Sequence, residues 1–218
     1  MYRFLYSLYI AFVPITSALA QNSSAEQVIA RFRAKMEEQA AVEMRFSFSG
    51  TDGRGREFKP LQGVIYRQQD DYALVNPDVE IYVQGNTKWI YTPGNNEAVV
   101  MRYNPASFDL AENPLALFSA QFSQEYTLTG NPNVFVQEGN EVIEITLTPT
   151  GKNMPYTSIL LRFLSQSLTP HSVKYMAKDG GGYEAVITSY TPRKQSFPPD
   201  RFIFSTTAHP GVYVTDLR

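Results

Sequence analysis

Residues 80–93 read EIYVQGNTKWIYTP, and this stretch decides the fold of the chain. On both sides of Gly85-Asn86, large apolar side chains alternate with polar ones, which is the period of a β-strand with one buried face. A Gly-Asn pair between two such runs tolerates the positive φ of a tight turn. The stretch therefore predicts a β-hairpin with strands over 78–84 and 87–92.

The same two-residue period continues outward in both directions. Asp52-Gly53, Gly139-Asn140 and Asp179-Gly180 also lie between alternating runs, and each pair predicts a further hairpin. Strands joined by short turns are usually neighbours in a sheet, so we expect sequential antiparallel pairing. The predicted strands cover residues 42–51, 56–68, 71–76, 78–84, 87–92, 97–103, 125–130, 133–138, 141–148, 156–164, 170–178, 182–190, 201–206 and 211–215.

Helical patterns occur before and within the run of strands. Apolar residues recur at helical spacing from Val28 to Met36, after the capping residues Ser23 and Ser24, and they predict an amphipathic helix over 25–39. Two Asn-Pro pairs later in the chain can each open a short helix. The second of these, over 114–122, is apolar on most sides and either packs in the core or covers an apolar cavity. Its large apolar residues are Leu115, Leu117, Phe118 and Phe122.

The N-terminus has the pattern of an export signal. Arg3 precedes an apolar run over 4–13, and Ala18-Leu19-Ala20 matches an A-x-A cleavage site. We expect a secretory signal peptide over 1–20, cleaved after Ala20, and a single domain over 21–218 in the periplasm. An uncleaved anchor is the alternative. No later apolar stretch approaches the length of a spanning helix, so we expect no stable membrane insertion.

Composition excludes several classes of function. The 218 residues carry 19 Lys+Arg against 21 Asp+Glu, a net charge of −2, so a sequence-independent nucleic-acid binder is not expected. The absence of cysteine excludes thiolate metal sites, thiol catalysis and disulfides. His171 and His209 have no third partner at a useful spacing, so we predict no metal site, no catalytic triad and no cofactor. An exported hydrolase would need facing carboxylates, and the acidic pairs at 37–38 and 70–71 are more typical of solvated charge.

Five stretches of the chain form a recognisable series: 63–67 (GVIYR), the hairpin 80–93, Asn113-Pro114-Leu115, 202–204 (FIF) and 210–216 (PGVYVTD). Together they resemble the LolA family of periplasmic outer-membrane lipoprotein carriers. The resemblance covers nearly all of the chain after residue 20. It implies a mainly β fold, an open and incomplete antiparallel barrel, or half-barrel, with a helical lid over an apolar cavity.

The resemblance also implies a function without covalent chemistry. A monomeric carrier of this family accepts acylated lipoproteins from an inner-membrane lipoprotein-releasing transporter and passes them to an outer-membrane acceptor. The lid would be the 114–122 segment. The alternative is a lipid- or lipoprotein-sensing module of the same half-barrel fold that acts through a partner protein.

Alternation along the predicted strands indicates which side chains could form the cavity wall. An open barrel has one inner face, and the same residues could also be ordinary core. The candidate wall residues are Phe46, Phe48, Ile65, Ile81, Val83, Trp89, Tyr91, Ile143, Ile145, Leu161 and Phe163.

The lid latch of the family is altered in this chain. In the family, a basic residue followed by proline comes shortly after the strand that matches 63–67, and its side chain bonds carbonyls of the lid. This chain has Gln69-Asp70 at that register. Arg67 lies two residues earlier, on the same strand face, so Arg67 and Gln69 are the latch candidates. Arg67 could equally be a surface charge.

Overall fold

The computed structural model describes residues 24–104, 126–151 and 154–218. The predicted signal peptide and the predicted lid lie outside these ranges. The described elements are α1 (Ala25–Glu37), β1 (Ala41–Thr51), β2 (Glu57–Gln68), β3 (Asp71–Val75), β4 (Glu80–Gln84), β5 (Thr87–Thr92), β6 (Glu97–Arg102), β7 (Tyr126–Gln137), β8 (Asn140–Pro149), β9 (Tyr156–Leu164), β10 (Pro170–Ala177), β11 (Gly182–Arg193) and β12 (Tyr213–Asp216). Two 3-10 helices, Pro199–Phe202 and Thr206–Ala208, lie between β11 and β12.

Helix α1 begins at Ala25 because Ser24 caps it. The Ser24 hydroxyl accepts the backbone N–H of Gln27 at 3.3 Å, and the Gln27 side chain accepts the N–H of Ser24 at 3.0 Å. This reciprocal pair satisfies two of the N–H groups that every helix start leaves open. The predicted helix is confirmed, and it ends slightly earlier than expected, at Glu37. In the described ranges, no helix has the length and hydropathy of a membrane span.

The twelve strands form one sheet in the order β12-β6-β5-β4-β3-β2-β1-β11-β10-β9-β8-β7. Strands β1–β6 and β7–β11 are two antiparallel meanders, and antiparallel pairing of β1 with β11 joins them. Among the described residues, no pairing between the edge strands β7 and β12 closes the sheet. The expected open, mainly β architecture is therefore confirmed. The sheet is mixed, because β12 pairs in parallel with β6.

Two details of the strand prediction are wrong. Residues 201–206, predicted as a strand, lie partly in the two 3-10 helices, where Pro199 at the first turn favours helical φ. The predicted strands 125–130 and 133–138 form the single strand β7. The register shifts between Thr129 and Asn133, where Gly130 has a φ of 74°, so the Gly-Asn-Pro sequence makes an irregularity within one strand instead of a turn.

The sheet curls around α1. One core cluster joins the buried side of α1 to residues from β1–β4 and β7–β10. Strands β4 and β8 are seven strand positions apart in the sheet order, which is about 34 Å on a flat sheet at about 4.8 Å per strand. A helix with its side chains is only about 10 Å wide. Both strands can reach one helix only if the sheet is strongly curved, so α1 lies on the concave face of an open half-barrel.

The segment 197–212, here named the C-terminal strap, packs on the opposite, convex face. Its residues Phe197 and Phe202 cluster with Ala41 and Ala73. Phe204 contacts the rings of three residues on β4 and β5, which are Tyr82, Trp89 and Tyr91. The strap therefore covers the convex side of the β2–β6 half of the sheet. After the strap, the chain rejoins the edge of the sheet as β12, next to β6.

Candidate functional site

The concave face carries a continuous apolar layer against α1. Phe32 of α1 lies 5.1 Å from Phe163 of β9, measured between ring centroids. The structure brings together nine candidate wall residues on this face: Phe46, Phe48, Ile65, Ile81, Val83, Ile143, Ile145, Leu161 and Phe163. Phe48 is half-buried at the margin of the layer, and the other eight are buried.

Trp89 and Tyr91 lie on the convex face, so the expectation that they line the concave side is wrong. Between β4 and β5, Trp89 pairs with Tyr82 and Ile90 pairs with Ile81. Directly paired residues point to the same side of a sheet. Alternation within β5 is as predicted, but it does not determine which of its two faces is concave. The pairing register of β4 with β5 determines which face is concave, because it places Ile90 beside Ile81.

The concave face continues past α1 over β5 and β6. Ile90 pairs with Val99, and Met101 lies two residues further along the same side of β6. All three side chains are half-buried. The sequence did not single them out, because their strands carry apolar residues on both faces. Partly exposed apolar side chains next to a core are the kind of surface that an apolar ligand covers.

A pocket of about 250 Å³ opens at the C-terminal end of α1. Arg67 and Gln69 both border it, together with Met36 and Gln39. Arg67 points to the concave side, because it pairs with the buried Val42 across β1 and β2. The two latch candidates therefore lie at the same end of α1. Gln69 is in the β2–β3 turn with a φ of 53°, and its side chain is exposed.

The Arg67 guanidinium is partly desolvated in this pocket. Burial lowers the pKa of Arg67, and the nearby Asp70 and Tyr190 act in the opposite direction. Among the described residues, no carboxylate lies within ion-pair distance of Arg67. The Tyr190 hydroxyl donates to Gln39 Oε1 at 2.8 Å, which adds a polar pair next to the arginine. Burial also raises the pKa of Tyr190.

The described residues offer no metal centre. Over 24–104, 126–151 and 154–218, no three His, Asp or Glu side chains lie close enough to hold a metal ion. His209 instead packs in the strap, with its ring 4.8 Å from that of Phe204 and 4.3 Å from that of Tyr91. This aromatic packing of His209 was not predicted from the sequence.

The fold and the site define a class of protein: a curved, open β-sheet wrapped around one helix, with an apolar concave face. No family model and no curated protein matches the sequence. An uncharacterized conserved protein from Thermus thermophilus has a similar solved structure, with a TM-score of 0.56 over 88% of this chain and 99% of that chain, at 9% identity. This likeness is one of fold.

Two further solved structures are similar at lower scores. An outer membrane lipoprotein-sorting protein domain from Vibrio parahaemolyticus has a TM-score of 0.45 over 79% of this chain and 94% of that chain, at 12% identity. A LolA superfamily protein from Nitrosomonas europaea has a TM-score of 0.43 over 84% of this chain and 99% of that chain, at 9% identity.

Proposed function

We propose that this chain is an exported carrier that holds the acyl chains of lipoproteins on its concave face. It would take them up at an inner-membrane releasing transporter and deliver them to an outer-membrane acceptor across the periplasm. The observation that carries the proposal is the apolar concave face, which continues beyond α1 as the half-buried Ile90, Val99 and Met101. The motifs shared with LolA carriers and the export pattern over 1–20 support it.

The energetics of acyl burial set a limit on how such a carrier binds. Each CH₂ removed from water contributes about 0.8 kcal/mol, so three full chains would contribute on the order of tens of kcal/mol. Useful non-covalent affinity saturates near about 20 kcal/mol, and a complex that tight would not release its cargo. A carrier must therefore bind the chains in part, or lose contacts of its own when it binds them.

The predicted lid would provide such an exchange. Its side chains Leu115, Leu117, Phe118 and Phe122 lie outside the described residues, and their role is part of this proposal. Giving up lid contacts for lipid contacts would leave a small net affinity. Phe118→Glu or Leu117→Glu should weaken cargo capture in a folded protein, because a charge on an apolar wall is unfavourable. Unchanged capture by these variants would exclude the lid role.

Native mass spectrometry tests the proposed function directly. The mature protein is mixed with a triacylated lipoprotein and, separately, with the same lipoprotein lacking its acyl chains. A one-to-one complex with the acylated form alone is the expected result. No complex, or equal binding of both forms, would overturn the assignment of an acyl-chain carrier.

A pair of matched variants locates the binding face. Ile90→Glu places a carboxylate among half-buried apolar residues of the concave face, and it should reduce capture. Val136→Glu is the control, because Val136 on the edge strand β7 is 72% exposed. Thermal unfolding of both variants confirms that they are folded. Equal loss of capture in both, or none in either, would place the binding site elsewhere.

A sensing module of the same fold is the second candidate function. It is favoured by Gln69-Asp70 at the position where the carrier family has its basic latch residue. A sensor would be recovered from periplasmic extracts with a signalling partner, whereas a carrier would be recovered with acylated cargo and with membrane partners at both ends of its route. Pull-down followed by identification of the bound proteins separates the two.

A further inference from the structure

We infer that the pocket at the C-terminal end of α1 binds the anionic headgroup of a lipid, a phosphate or carboxylate, while the acyl chains of the same lipid lie on the concave face. This inference goes beyond the proposed function, because the triacylated cysteine of a lipoprotein carries no phosphate or carboxylate headgroup. It adds a second class of ligand to the same concave face, a lipid with a negatively charged polar end. The pocket residues that carry it are Arg33, Gln39 and Arg67.

The size of the pocket fits part of a lipid and not a whole one. Sites for complete small ligands have volumes of roughly 300–1,000 Å³, and this pocket holds about 250 Å³. Met36 and Val42 line the pocket and also belong to the core cluster on the concave face. The pocket therefore borders the apolar core of the concave face, next to which the acyl chains of the lipid would lie.

Arg67 has the properties of an anion ligand. It points to the concave side, is partly desolvated, and has no ion-pair partner among the described residues. A partly desolvated guanidinium binds a phosphate or carboxylate more strongly than a fully hydrated guanidinium does, because its surroundings screen the attraction between the charges less. Its planar donors also match the two oxygens that such an anion presents.

The charges around the pocket favour an anion over a cation. Arg33 and Arg67 both line it, against the single lining carboxylate of Glu37, and Asp70 lies near Arg67. The C-terminal end of a helix carries a partial negative charge, so α1 itself does not attract an anion here. Recognition therefore depends on the two arginines. The amide of Gln39, which lines the pocket, can bind the uncharged part of the headgroup.

The experiment compares ligands with identical acyl chains and different headgroups. Purified protein is titrated with monodisperse dimyristoyl phosphatidylglycerol, with dimyristoyl glycerol, and with glycerol 3-phosphate, and affinities are measured by native mass spectrometry. We expect the phosphatidylglycerol to bind more tightly than the uncharged lipid by on the order of tenfold, the effect of one charged hydrogen bond. Glycerol 3-phosphate alone should bind far more weakly.

Variants test whether Arg67 is responsible. Arg67→Gln should bring the ratio of the affinities for phosphatidylglycerol and dimyristoyl glycerol close to one, and Arg67→Lys should restore part of the preference. Arg54→Gln is the matched control, since Arg54 is an exposed arginine in the β1–β2 turn.

Each other outcome overturns a distinct statement. Equal binding of both lipids by the natural protein would overturn the headgroup site and leave the acyl-binding function standing. Equally tight binding of glycerol 3-phosphate would show a site for a free anion and exclude the lipid headgroup. A preference that survives in Arg67→Gln would exclude Arg67 as the ligand. Binding of neither lipid by the folded protein would overturn this inference, and the separate titration with acylated lipoprotein decides the proposed function.

Discussion

The ring of Phe46 lies directly against the backbone of Gly63 on the neighbouring strand. The two residues are paired across β1 and β2, and a Cβ added to Gly63 would lie 2.4 Å from Phe46 Cζ. Phe46 is 2% exposed and belongs to the core cluster that surrounds α1. The missing side chain at Gly63 therefore provides the space in which a large aromatic residue packs close to the sheet.

Gly63→Ala should destabilise the protein. The added methyl group would force the Phe46 ring out of a packed core, which costs about 1–3 kcal/mol. Urea unfolding followed by circular dichroism measures the change. Gly182→Ala is the control, because a Cβ at Gly182 has open space around it, and it should have little effect. If the two variants are equally stable, the packing of Phe46 on Gly63 is not as described.

The sequence was sufficient to predict most of the strands but not how all of them pair. Alternation and turn pairs are local signals, and they correctly located the hairpins at 85–86, 139–140 and 179–180. The parallel pairing of β12 with β6 and the joining pair of β1 with β11 involve residues far apart in the chain. Strand periodicity contains no information about such partners, so these pairings could not be read from it.

The candidate site, too, was predicted only in part. Alternation along 63–67 places Arg67 on one face with Ile65, and pairing with Val42 and Met44 confirms that this face is concave. For β5 the same reasoning selected the wrong face. Phe202 and Phe204 were also misread, since their spacing of two is that of a strand, but they bury themselves on the convex face within the strap.

Trp89 should report on the strap and not on the ligand. Its indole ring lies 5.2 Å from the ring of Phe204, between centroids, on the face opposite α1. Phe204→Ala should therefore shift the emission of this single tryptophan towards that of an indole in water, whereas binding of an acyl chain should leave it unchanged. Steady-state fluorescence measures both effects.

The control for that experiment lies in the same strap. Phe202 packs in the neighbouring cluster with Phe197, so Phe202→Ala should leave the surroundings of Trp89 largely intact. A large emission change on ligand binding to the natural protein, with no change in Phe204→Ala, would contradict the placement of Trp89.

Arg162 links two carboxylates on the convex side of β8–β11. It donates to Glu144 Oε2 at 2.8 Å and to Glu184 Oε1 at 3.0 Å, and its side chain is 15% exposed. Arg162→Gln would leave two partly buried carboxylates without their cation, so the free energy of unfolding should fall by about 1–3 kcal/mol. Chemical denaturation of the natural and variant proteins measures this difference.

A triple variant distinguishes charge from packing at this position. Arg162→Gln combined with Glu144→Gln and Glu184→Gln leaves no unpaired charge, so it should recover part of the lost stability. If the triple variant is less stable than Arg162→Gln alone, the two carboxylates do not depend on Arg162 for compensation.

Buried tyrosines should make the protein sensitive to alkaline pH. Burial raises the pKa of Tyr103, Tyr175 and Tyr190, which lie in or against the core cluster on the concave face. A pKa that is higher in the folded state than in the unfolded state means that the folded chain holds its protons more tightly. The resulting stability is fully present below the unfolded value of about 10 and is lost as the pH rises through the folded-state pKa.

Ultraviolet titration of tyrosinate tests this dependence. In the native protein the tyrosinate absorbance should rise in two phases as the pH increases, and the later phase should be accompanied by loss of tertiary structure. In urea the absorbance should rise in one phase near pH 10, about the pKa of free tyrosine. Tyr175→Phe should reduce the amplitude of the later phase by one residue, because Tyr175 is 2% exposed. The native titration could instead coincide with the one in urea while the circular dichroism spectrum stays that of the folded protein. That result would show that the tyrosine hydroxyls are open to solvent, and that the concave face is not packed around α1 as described.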